Sequence, residues 1–361
     1  MQTRGCILTL HMVDRSESYL QKLSEDDWEE LFCEIGDGFY SPRVVDWELT
    51  GTCPYRCEWC WGPDHLVGLN ASMTTIEITR SMTLFAVTNN NPRFVLTGGE
   101  PMTRPDIVDI VDHSCGSVDE TVLSTTGDML LSGHRAEGVW QVLGRRPHAS
   151  TVAVPLHAAS AAVNALVMPK LSGDQVERSE VVTEVLGRAQ SLGILATLRT
   201  TITGLQTSED VLRIPETLEK RGLDLSKIRW KLYQYDPYVG PRSSDDVTGK
   251  YSLTDQNFNE ISSKIMDEFC YEFDDVSSHP IHSSADNYVI VAPNGEVRIV
   301  ESTDTNLPTE QYLCTGSDVR LNITKQPVEL MSEVERLMPL QLWDTELVED
   351  EDLAELPHYR R

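Results

Sequence analysis

From residue 43 onward, short runs of branched apolar side chains take turns with longer stretches in which apolar residues recur every three or four positions. The first rhythm belongs to strands and the second to amphipathic helices, and their alternation predicts βα units around a parallel sheet. Strands are predicted over 43–49, 93–97, 120–124, 151–156, 194–200 and 228–235. Helices are predicted over 74–88, stopped by Asn89-Asn90-Asn91-Pro92, and from near Thr103, with Pro105 in the first turn. Three more follow: one around Val139, Trp140 and Leu143, one over 176–192 closed by Gly193, and one from Ser208 to Gly222.

The flanks read differently. In residues 1–40, Ser24-Glu25-Asp26-Asp27 forms an N-cap and acidic first turn for a helix with Trp28, Leu31, Phe32 and Ile35 on one face, suited to covering the sheet's flank. After Pro237 comes a loop, then a helix over 254–269 capped by Thr254. A hairpin follows, with Tyr288–Val291 and Val297–Val300 joined at Pro293-Asn294-Gly295. The tail from Pro327 reads as helical and then as a solvated acidic end, Glu349–Asp352. These changes divide the chain into an N-terminal helical extension (1–40), a core (41–240) and a C-terminal α+β extension (241–361).

Directly after the first strand stands Thr52-Cys53-Pro54-Tyr55-Arg56-Cys57-Glu58-Trp59-Cys60. Three thiolates at C-x3-C-x2-C on one loop can wrap an iron–sulfur cluster, and three ligands for a four-iron cube leave one iron open for chemistry. With His65, the same loop reads as a Cys3His structural zinc site, which would make the chain a zinc- or cluster-stapled binding protein without catalysis. A second motif, Leu96-Thr97-Gly98-Gly99-Glu100-Pro101, ends the second strand. Together the motifs resemble the radical S-adenosylmethionine (radical SAM) superfamily, whose pattern C-x3-C-x-φ-C has Trp59 at its aromatic place.

The resemblance implies a partial (β/α)6 TIM-type barrel, a [4Fe–4S] cluster held by Cys53, Cys57 and Cys60, and SAM on the open iron. It places Gly98, Gly99 and Glu100 at the SAM amino group, the glycines allowing close backbone approach, and Trp59 beside adenine. Ser124 and Thr126 are candidates for SAM or substrate contact. The family segment that ends in an arginine facing the SAM carboxylate has Met168-Pro169-Lys170 here, so Lys170 or Arg199 supplies that charge. His157, Tyr233 and Tyr235 are the catalytic candidates, and His65 is a further substrate-side candidate. Strand six and the late hairpin are loosely similar to viperin-like members.

The expected reaction is reductive cleavage of SAM to a 5′-deoxyadenosyl radical that abstracts hydrogen from a small-molecule or nucleotide substrate, with electrons from a flavodoxin or ferredoxin. A peptide maturase without auxiliary clusters is the alternative, since only Cys270 and Cys314 lie in the C-terminal region.

Charge narrows the partners. Against 57 acidic residues stand 30 basic ones, and the formal net charge of −27 excludes a general nucleic-acid or anionic-membrane binder. Only 8 of the basic residues are lysines, a surface suited to high salt. The 8 cysteines are too few and scattered for a disulfide scaffold. No stretch is long enough to span a membrane, Met1–Met12 is too short an apolar run for a signal peptide, and the expected location is cytoplasmic.

Overall fold

The computed structural model describes residues 44–60, 72–88, 92–174, 177–235, 249–279, 288–300 and 321–322. The helix predicted near residues 24–35, the helical tail and the acidic end lie outside them.

Eight strands run parallel. The order across the sheet is β8 (Tyr288–Val291), β1 (Val44–Glu48), β2 (Arg93–Thr97), β3 (Thr121–Ser124), β4 (Ser150–Pro155), β5 (Leu195–Ile202), β6 (Ile228–Gln234) and β7 (Asp275–His279). Antiparallel strands β9 (Glu296–Val300) and β10 (Leu321–Asn322) extend it beyond β8. The sequence of neighbours is that of a TIM-type barrel, with the seam left open between β7 and β8 among the described residues. The six predicted strands are all present. β7 was not predicted, because Asp275-Val276-Ser277-Ser278-His279 has no apolar alternation. The predicted hairpin forms, and its first strand pairs in parallel with β1, Val44 opposite Tyr288 and Trp47 opposite Val291.

The helices are α1 (Thr75–Thr88), α2 (Ile107–Ser117), α3 (His134–Arg145), α4 (Ala161–Val167), α5 (Arg178–Ser191), α6 (Ser208–Leu212), α7 (Ile214–Glu219) and α8 (Asp255–Phe269). A 3-10 turn over Pro101–Thr103 precedes α2, so that helix opens later than Thr103. Arg213 separates α6 from α7, and Pro215 falls in the first turn of α7, where its missing N–H costs nothing.

The period-two pattern decides which strand side chains meet the helices. Val45, Trp47, Phe94, Leu96, Leu123, Val152, Val154, Ala196, Leu198, Trp230 and Leu232 join the helices in one continuous core. The alternate positions line the lumen, where Val95, Val122 and Ala153 form a small apolar floor of their own.

Candidate active site

β1 ends at Glu48 and the chain leaves the sheet's C-terminal edge toward the cysteines. β2 follows it out: Gly99 N donates to Thr50 O at 2.5 Å and Glu100 N to Thr52 O at 2.7 Å. A Cβ on Gly98, whose φ is 122°, would lie 2.6 Å from Thr50 O, and one on Gly99 would lie 2.3 Å from Thr52 O. The close approach that demands glycine is therefore made by the exit of β1. Arg104, buried and paired with Asp106 at 2.6 Å, adds a clamp by donating to Leu49 O and Met73 O.

The far side of the loop is tied to the segment after α4. Tyr55 bridges Lys170, Arg56 N donates to Pro169 O, and Leu171 N donates to Pro54 O. Trp59 Nε1 donates to Val167 O at 2.6 Å, and its ring stands edge-on to His157, centroids 5.2 Å apart.

Beneath the loop lies a buried polar group that the sequence reading missed. Tyr55 Oη donates to Asp128 at 2.8 Å. Arg178, 2 % exposed at the start of α5, donates to Tyr55 Oη (3.0 Å), Asp128 Oδ2 (2.8 Å) and Thr126 O (2.5 Å). Lys170 Nζ stands 3.7 Å from Asp128. One guanidinium thus joins the β1 loop, the β3 loop and the end of β4. No sequence signal links positions 55, 128 and 178, which belong to no shared motif.

Other predicted residues fall as follows. Glu100 is fully buried, and its carboxylate accepts from Met102 N, Thr125 Oγ1 and Thr126 N. All three donors belong to the protein itself, so the carboxylate ties the end of β2 to the loop after β3. Neither the Gly98 nor the Gly99 carbonyl accepts a hydrogen bond from another described residue, and both glycines are partly exposed. Thr126 is buried and works through its backbone. Ser124 accepts from Arg199 Nη1 at 2.7 Å.

His157 is 3 % exposed, and its Nδ1 accepts from Thr201 N. Burial, then the Arg178 charge, pushes its pKa down to about 3. It stands as a neutral ring behind Trp59. Tyr233 is half-buried on the lumen side of β6, whereas Tyr235 packs against Tyr251 at 4 % exposure, in keeping with a core role. His65 lies outside the described residues.

Comparison with known proteins now bears on the site. The Radical SAM superfamily model matches residues 47–223, a span that takes in both motifs and the strands that carry them. Residues 47–223 are a radical SAM superfamily domain. Over 90 residues it is 33 % identical to the AdoMet-dependent heme synthase of Methanosarcina barkeri, covering 25 % of this chain and 26 % of that one. Over 91 residues it is 32 % identical to the GTP 3′,8-cyclase of Erythrobacter litoralis, covering 24 % and 27 %. The chain thus spans about a quarter of the length of the curated relatives it matches. In fold it is similar to Streptococcus suis SuiB bound to S-adenosylmethionine, with a TM-score of 0.57 at 12 % identity over 85 % of this chain and 67 % of that one.

A radical SAM enzyme works with a [4Fe–4S] cluster and SAM, and the donor set fits them. Cys53, Cys57 and Cys60 are half-buried on one loop and form no disulfide. Burial, and then the neighbouring thiols of Cys60 and Cys53, holds the Cys57 thiol well above its ordinary pKa; bound iron reverses that balance. Among the described residues, no three His, Cys, Asp or Glu side chains converge as a single-ion site. A tetrahedral zinc needs sulfurs about 3.8 Å apart, given Zn–S distances near 2.3 Å. A cube spreads its ligands over separate irons. Three thiols on one loop are the donor set that a [4Fe–4S] cluster with one open iron takes. No helix among the described residues is long and apolar enough to cross a membrane.

Proposed function

We propose that this radical SAM enzyme reductively cleaves SAM and uses the resulting 5′-deoxyadenosyl radical to take a hydrogen atom from a small molecule or nucleotide held in the barrel lumen. The observation that carries the reading is the backbone pairing of Gly99 with Thr50 and of Glu100 with Thr52, which makes the cysteine loop and the Gly98–Glu100 segment one rigid unit at the C-terminal mouth of the sheet.

The cluster, when bound, supplies one low-potential electron, and a flavodoxin- or ferredoxin-type protein delivers it. Cys53, Cys57 and Cys60 would hold three irons. The carbonyls of the partly exposed Gly98 and Gly99 are acceptors suited to an ammonium. Lys170, held beside the loop by its bridge to Tyr55, is a charge suited to a carboxylate. Trp59, anchored through Nε1 and backed by His157, offers a fixed aromatic face. A peptide substrate is the second reading, favoured by the likeness in fold to SuiB, which has also been solved with its precursor peptide SuiA.

Anaerobic reconstitution with iron and sulfide, then dithionite and SAM, tests the proposal. The expected product is 5′-deoxyadenosine, lost in Cys57→Ser. An intact cluster that yields none would refute it.

A further inference from the structure

The lumen face of β5 and β6 carries a concentration of positive charge that is unusual in so acidic a chain. On β6, Arg229, Lys231 and Tyr233 alternate with the core residues Ile228, Trp230 and Leu232. On β5, Thr197, Arg199 and Thr201 alternate with Ala196, Leu198 and Ile202. Arg199 and Lys231 are register partners on adjacent parallel strands, so their side chains leave the sheet side by side.

Two of the cations nearby are neutralised. Arg93 pairs with Glu120 at 2.7 Å and Arg229 with Asp274 at 3.0 Å. Among the described residues, the other two have no ion pair. Among the described residues, Arg199 donates only to the neutral Ser124 hydroxyl, and its Nε is buried without a partner. Lys231 Nζ has no hydrogen bond or ion pair among the described residues. Burial, then the charges of Arg199 and Arg93, lowers its pKa, against a smaller opposing pull from Glu120, which is itself paired with Arg93. The acid whose charge Arg199 feels is Asp46 on β1, and burial there raises the carboxyl to about 7, so it is only a partial counter-ion. Two adjacent, partly buried cations that no described acid pairs directly are costly until an anion joins them.

We propose that Arg199 and Lys231 form the binding site for an anionic group of the substrate, a carboxylate or a phosphate, inside the barrel. The inference rests on the lumen being the substrate cavity of the reaction proposed above, and it assigns Arg199 to substrate, leaving the SAM carboxylate to Lys170. Ser124 fixes one edge of the guanidinium and leaves the remaining donors for the ligand, while Lys231 adds a mobile point charge. Tyr233, one lumen position nearer the mouth than Lys231, stands where the rest of the substrate would pass.

The test uses the reconstituted full chain with SAM present, titrated calorimetrically with inorganic phosphate in one arm and succinate in the other. Ionic strength is held constant with KCl. Saturable binding is expected in at least one arm, and the tighter arm identifies the group as phosphate or carboxylate. Lys231→Met and Arg199→Gln should each weaken it by about tenfold or more, the scale of one charged hydrogen bond. Lys231→Arg should keep most of the affinity. Lys264→Met, an equal loss of charge on α8, should leave it unchanged. No saturable binding in either arm, or equal affinity in Lys231→Met, overturns the proposal. So does a Lys231→Met protein that loses affinity for SAM while keeping the anion. Formation of 5′-deoxyadenosine in the same preparations reports separately on SAM cleavage. Anion binding without cleavage would sink the reaction and leave the site standing, and cleavage without anion binding would do the reverse.

Discussion

His157 and Asp46 are both held in their neutral forms, and they pull stability in opposite directions with pH. The folded His157 has a pKa of about 3 against 6.5 when unfolded, so the unfolded chain binds the extra proton. Its contribution is complete above pH 6.5 and is lost as pH falls toward 3. By pH 4.5 the loss amounts to roughly 2–3 kcal/mol. The first prediction is that His157→Gln flattens the acid side of a urea-midpoint profile between pH 7 and 4.5. An unchanged slope would show that the ring titrates freely. Asp46 is the converse case, raised from 3.8 to about 7 by burial. Its neutral form favours the folded state below pH 3.8, and that advantage is lost as pH rises through 7. The second prediction is that Asp46→Asn gains melting temperature relative to the parent between pH 4 and pH 8. A difference that stays constant over that range would contradict it.

Between elements, the site depends on contacts that carry no chemistry themselves. A methyl group on Gly99 must displace Thr52, whose carbonyl would lie 2.3 Å away, and Thr52 adjoins Cys53. The third prediction is that Gly99→Ala lowers the iron and sulfide taken up on reconstitution, at a cost of about 1–3 kcal/mol in folding. Full uptake with an unchanged melting temperature would contradict it. The Arg178–Asp128–Tyr55 group is the second such support. Removing Arg178 leaves the partly buried Asp128 with only Lys170, at 3.7 Å, as a weak replacement. The fourth prediction is that Arg178→Met costs about 3–5 kcal/mol in denaturant unfolding. Arg178→Met with Asp128→Asn should recover part of that loss, and exact additivity of the two changes would argue against the pair.

These two supports also mark what a sequence can reveal. The cysteine loop and the glycines were legible because their chemistry depends on local spacing, and the six predicted strands because one face of each is apolar. Arg178 was invisible because its partners lie 50 and 123 positions away. The glycines were recognised, but the neighbour that requires them was not, since strand register is a tertiary fact. β7 was missed because it is polar, and the parallel pairing of β8 with β1 closes more of the sheet than the hairpin motif alone implies.

For the molecule as a whole, a formal net charge of −27 makes self-repulsion a term in the folding balance. The fifth prediction is that melting temperature rises as KCl is raised from 0.1 to 1 M, a range over which the Debye length falls from about 10 to 3 Å. A flat or falling curve would show that the acidity is already offset by pairing. The same acidity encloses a lumen whose Arg199 and Lys231 are positive, so the far field and the near field have opposite signs. An anionic ligand is repelled on approach and attracted on arrival. Its association rate should therefore climb with ionic strength, while its dissociation, governed by charges shielded from bulk ions, should change little. Such a protein captures its ligand fastest in brine.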